Sequence, residues 1–169
     1  MMIFMFLFLS FGVVFTPLIF LNFQTSTPIV KVEKVEIENT SWIASDGSEA
    51  VFGEDTFYWY QKEGEHDDNY YYGSYEFYIG EDAVSFITTD LKEFGVTKEE
   101  LEDLFERNEE YNVENFVVFD LLYDGIIIDE EFTVPNQPRV PWYGFILDDN
   151  TYLDVANIKT GTYYKFTKK

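Results

Sequence analysis

The sequence predicts a mainly β protein: a small antiparallel barrel or strongly curved sheet with one inserted α-helix, preceded by an N-terminal transmembrane helix. Three observations carry this. Residues 1–23 (MMIFMFLFLSFGVVFTPLIFLNF) are almost wholly apolar, and the first thirty residues contain no charged side chain. The remainder breaks into about eight short runs of alternating, β-branched or aromatic residues, punctuated by Gly, Asp, Asn and Pro. Among these runs stands one strong helix-start signal, Thr97-Lys98-Glu99-Glu100.

As a helix, residues 1–23 rise about 35 Å, enough to cross a hydrocarbon core of about 30 Å. No Lys or Arg precedes the segment, and its exit, Leu21-Asn22-Phe23-Gln24-Thr25-Ser26, lacks a small-x-small cleavage site. Both features fit an uncleaved anchor better than a signal peptide. The chain has no Cys, so an acylated lipoprotein start is excluded. Residues 24–28 read as a polar linker and 29–169 as one acidic β-rich domain. Lys31 and Lys34 flank the C-terminal side of the span, which taken literally places the domain inside. Long domains translocate largely regardless of charge, and the expectation is a single-pass protein with its C-terminal domain outside the cytoplasm.

All 11 basic and 32 acidic residues lie beyond the anchor, giving a net charge of −21. Such a domain is repelled by nucleic acid, which is not expected as a partner. Without Cys, stability must come from the core, and that core is aromatic: 18 Phe, 13 Tyr and 3 Trp.

A first strand is expected over 29–37, with a bend near Glu33-Lys34 where the alternation slips from Val30, Val32 to Val35, Ile37. Trp42 and a turn at Ser45-Asp46-Gly47-Ser48 follow, then a short apolar run at 50–53. Strands at 56–62 and 70–79 read as an antiparallel hairpin. In the second of these, Tyr71, Gly73, Tyr75, Phe77 and Ile79 share one face, and Gly73 implies a bend or a close approach there. Residues 83–88 fit either strand or helix. The capping box at Thr97 opens a helix with a narrow apolar stripe, Leu101, Leu104 and Phe105, ending near 108–111. Residues 116–123 and 126–128 flank Asp124-Gly125, which reads as a hairpin turn. Strands at 142–147 and 151–158 surround Asp148-Asp149-Asn150, and a last strand spans 162–167.

Trp42 ahead of an Asp-Gly turn, the hairpin from Phe57-Tyr58-Trp59-Tyr60 to Tyr72-Gly73-Ser74-Tyr75, and the closing run through Tyr143-Gly144-Phe145, Leu153-Asp154-Val155-Ala156-Asn157 and Phe166 together resemble lipocalin-type (calycin) barrels of exported bacterial proteins. The resemblance covers about residues 40–169 and rests on pattern. Thr40 stands where lipocalins usually carry Gly two positions before the tryptophan, and the helix lies mid-chain where theirs follows the barrel. The resemblance implies an aromatic interior that either binds a small apolar ligand or is filled.

No catalytic, cofactor or metal residue is assigned. His66, the one histidine, lies among Glu63, Glu65, Asp67 and Asp68, but this spacing matches no calcium-binding loop and reads as a solvated hairpin tip. Turn chemistry likewise accounts for Asp148, Asp149 and Asn150 near Asp154. There is no nucleophile elbow around Ser74, no phosphate loop and no dinucleotide fingerprint. An enzyme requires His66 to be buried beside a carboxylate and a hydroxyl. Half of the tyrosines at 70, 71, 72, 75 and 78 are expected in the core and half on the outer face. The function expected is a membrane-tethered, extracytoplasmic binding or interaction module without catalysis, bound to the bilayer through residues 1–23 and to a small apolar ligand or a protein. The alternative is a structural accessory component of a cell-surface or membrane assembly with a solid barrel core. A cavity of about 300 Å³ or more separates the first from the second.

Overall fold

The computed structural model describes residues 37–66 and 69–169. The predicted span 1–23, the linker 24–28 and the strand expected over 29–37 lie outside these, except for Ile37, which is buried against the core. Among the described residues no helix is long and apolar enough to cross a membrane.

Nine strands follow in order: β1 (Thr40–Ala44), β2 (Glu49–Phe52), β3 (Thr56–Tyr60), β4 (Tyr70–Ile79), β5 (Phe116–Ile128), β6 (Glu131–Thr133), β7 (Arg139–Leu147), β8 (Tyr152–Asn157) and β9 (Tyr163–Lys168). Every pairing is antiparallel. The sheet runs β4-β3-β2-β1-β9-β8-β7-β5, and β4 pairs with β5, so eight strands close into an up-and-down barrel with β6 as a short flap on β5. Between β4 and β5 lie two helices, α1 (Glu81–Thr89) and α2 (Lys98–Arg107). The second is the expected inserted helix; the first resolves the segment that the sequence leaves open between strand and helix. Thr97 accepts from the Glu100 amide at 3.3 Å, and Glu100 accepts from the Thr97 amide at 3.0 Å, completing the predicted capping box.

Alternation places one side of each strand inside the barrel. Trp42, Phe57 and Val117 are fully buried there, with Phe52, Phe119, Leu121, Ile146, Leu153, Val155 and Phe166 around them. The Trp42 indole donates to Thr40 Oγ1 at 2.8 Å, so the threonine in the lipocalin glycine position satisfies the buried tryptophan. A second core forms outside the barrel, where Ala83, Val84, Ile87, Leu91 and Leu101 from the inserted segment cover Phe116, Val118 and Phe145. The apolar run at 116–119 therefore belongs to a strand buried on both faces.

Asp124-Gly125 is not a hairpin turn. It lies inside the 13-residue β5, where the register against β4 shifts from Tyr72↔Gly125 to Gly73↔Tyr123 and leaves Asp124 unpaired as a bulge. The turn comes five residues later, at Asp129-Glu130, both with positive φ. Gly73 faces this bulge: a Cβ there would meet the Leu122 carbonyl oxygen at 1.9 Å. The close approach expected at Gly73 is thus to backbone. Gly73→Ala is expected to lower stability by about 1–3 kcal/mol through overpacking. Urea unfolding checks this as a lower midpoint at unchanged slope.

Candidate functional site

The β5–β7 seam ends at Leu122↔Arg139, beyond which β5 pairs with β6 instead. Below this point the seam is locked by a fork in which Arg139 donates to both Asp120 oxygens, at 2.8–3.0 Å. Above it the barrel wall opens, and the interior holds a cavity of about 360 Å³. Trp59, Trp142 and Tyr164 form its floor, mutually packed with ring centroids 5.5–5.7 Å apart. Tyr71 and Tyr123 meet edge to face at 5.9 Å along one wall. Ile126, Pro135 and Val140 add apolar surface, and Gln137 and Asn157 supply amides. Beneath Trp59 and Trp142 the interior leaves only about 20 Å³, so one half of the barrel is packed and the other hollow.

Polar groups around the cavity are few and specific. Burial pushes the Tyr123 phenol well above its ordinary range, with Tyr71 and Tyr164 adding to the effect, so it stays protonated. Burial and the Asp46 carboxylate, to which Tyr164 hydrogen-bonds, raise the Tyr164 phenol as well. Asn157 is buried and accepts from the Lys159 and Thr160 amides at 2.9 and 3.0 Å. Trp142 is 7 % exposed, and its indole N–H has no acceptor. A buried donor left without a partner costs about 1–3 kcal/mol. The sequence marks Trp142 only as a strand residue; its place in the cavity wall appears once the barrel is closed around it.

A second cluster lies at the start of β2. The Glu49 carboxylate, only 1 % exposed, accepts from Ser41 Oγ, from the Gly64 amide at 2.8 Å, and from Lys169 Nζ at 3.2 Å, and sits 3.1 Å from His66 Nε2. Burial alone would raise its pKa, but these four hydrogen bonds outweigh it and hold the carboxyl at about 2. The His66 ring stacks on Tyr60 at 4.0 Å and is half-exposed. A hydroxyl, a carboxylate and an imidazole are therefore together, but in an order unsuited to nucleophilic catalysis. Ser41 gives its proton to a carboxylate too acidic to remove it, and His66 contacts the far side of that carboxylate rather than the hydroxyl. The cluster ties the 61–66 loop and Lys169 to the barrel wall.

Among the described residues, no three His, Cys, Asp or Glu side chains are grouped to hold a metal ion. Asp67 and Asp68 of the acidic loop lie outside those residues. Asp148, Asp149 and Asn150 all take positive φ in the β7–β8 turn, while Asp154 is buried and pairs instead with Lys165 at 3.4 Å. The tyrosines divide between the two faces as expected. Tyr71 lines the cavity and Tyr75 packs on the core. Tyr70 and Tyr72 join Tyr58 and Tyr60 in an outer array with centroids 5.6–6.3 Å apart, and Tyr78 stacks on Phe86 of α1.

Comparison with known proteins yields no matching family model, no matching curated protein and no matching solved structure. The closed eight-stranded antiparallel barrel with a helical insertion is consistent with the lipocalin-type fold.

Because the folded pKa of Glu49 is depressed from 4.5 to about 2, its contribution is complete above pH 4.5 and is lost as pH falls towards 2. Glu49→Gln should destabilise the domain at pH 7 by about 2 kcal/mol, the scale of lost charged hydrogen bonds. In urea titrations across pH, the gap between wild type and variant should close between pH 4.5 and 2.

Proposed function

We propose that this chain is a membrane-tethered, extracytoplasmic binding module of lipocalin type, which takes a small ligand into the hollow half of its barrel without catalysis. The observation that carries the reading is the cavity of about 360 Å³, within the size range of small-molecule sites and lined mostly by aromatic and aliphatic side chains. The packed half beneath it supplies a rigid floor, so the site is preformed. Residues 1–23, apolar and long enough to span the bilayer, provide the tether.

A second reading, an accessory component of a surface assembly, has one observation in its favour. The outer tyrosines Tyr58, Tyr60, Tyr70 and Tyr72 form an aromatic face of the kind that protein contacts use.

The binding reading predicts that the uncharged fluorophore N-phenyl-1-naphthylamine binds the full-length protein in maltoside detergent micelles. Val140→Trp, which fills the cavity, should weaken that binding at least tenfold while leaving the urea midpoint within the range of a tolerated interior change. Unchanged fluorophore affinity in the variant rejects the cavity as the site. The tether predicts that in intact cells a protease added outside cleaves the domain; complete protection rejects the outward orientation.

A further inference from the structure

Five aromatic rings bound the cavity: Trp59, Tyr71, Tyr123, Trp142 and Tyr164. Their neighbours in the wall are aliphatic side chains and neutral amides, with neither a basic nor an acidic group among them. The nearest basic residues in the sequence are committed elsewhere: Lys165, beside Tyr164, pairs with Asp154 at 3.4 Å. Arg139, beside Val140, gives its guanidinium to Asp120, and Lys159 lies over the Phe94 ring at 5.7 Å while donating to the Arg139 carbonyl at 2.5 Å. A carboxylate or phosphate ligand would thus find no counter-ion, inside a protein whose net charge of −21 repels it.

That field favours a cation, and the chemistry of the wall restricts which kind. Aromatic rings present negative quadrupole faces that attract cations by about 0.5–1 kcal/mol at exposed sites and about 2 or more when desolvated. A primary ammonium, strongly hydrated and carrying three N–H donors, would lose its water without gaining a carboxylate. A quaternary or heavily methylated ammonium has no such donors to satisfy, and its methyl surface suits an apolar wall. Asp46, which interacts with the Tyr164 hydroxyl, is not among the cavity-lining residues.

We infer that the cavity recognises an organic cation, a quaternary or heavily methylated ammonium. This deepens the binding-module reading and rests on it.

Choline and its uncharged carbon isostere, 3,3-dimethylbutan-1-ol, differ in charge at nearly constant shape and share one hydroxyl. Calorimetric titration of the full-length protein in maltoside detergent should give choline at least tenfold tighter binding than the isostere. Tyr123→Leu, which removes one of the five rings, should lower that ratio at least threefold. Equal binding, or tighter binding of the alcohol, overturns the cationic ligand and leaves the binding module standing. Choline binding that survives unchanged in Val140→Trp places the cation elsewhere and also overturns the inference. Silence from choline, the alcohol and N-phenyl-1-naphthylamine alike overturns both readings.

Discussion

β5 must be buried on both faces at once, and the remaining elements arrange themselves around that demand. Its odd-numbered positions, Val117, Phe119 and Leu121, face the barrel core; Phe116 and Val118 face outward and would expose a large apolar surface if left bare. The inserted helices cover them, which explains why the β4–β5 connection is long and carries helices. The same strand then leaves β7 at Leu122, bulges at Asp124 and turns back through Asp129-Glu130. The interior is hollow where β5 has left its neighbour and solid where it has not.

A chain of net charge −21 with no Cys has to hold this barrel without covalent staples and against its own repulsion. Aromatic packing supplies the attraction. The buried and half-buried carboxylates show how repulsion is contained: Glu49 is surrounded by four donors, half-buried Asp120 is gripped by Arg139 on two oxygens, and Asp154 has Lys165 within 3.4 Å. Few of the 11 basic residues are available, and several stand at strand boundaries where one cation fixes two elements. Lys169 reaches Glu49 from beyond β9, and Arg139 joins β7 to β5.

Much of the barrel was legible because its signals are local. The alternation of 70–79, the Asp-Gly turn after Trp42 and the capping box at Thr97 each depend on residues a few positions apart. Asp124-Gly125 misled for the same reason: its turn propensity was overridden by a partner strand some fifty residues away, on which Gly73 permits the close approach that a bulge requires. The continuous run Phe116-Val117-Val118-Phe119, with no polar alternation, was the available sign of a strand buried on both faces. The site was less legible. Its rings come from β3, β4, β5, β7 and β9, and nothing in their spacing marks five aromatic positions as neighbours around an empty space. Glu49, one acidic residue among 32, carries no sequence mark of being the most buried acidic side chain among the described residues.

The pairing of β1 with β9 sets Trp42 opposite Lys168 and Ala44 opposite Phe166, so the first described strand closes the barrel against the last. These contacts span nearly the whole domain, and the loop-closure entropy they require is recovered only when both partners are present. Without β9 the edges of β1 and β8 would both stand unpaired. The barrel therefore gains its closing contacts only when both ends of the domain are in place, which makes its two terminal strands one cooperative unit.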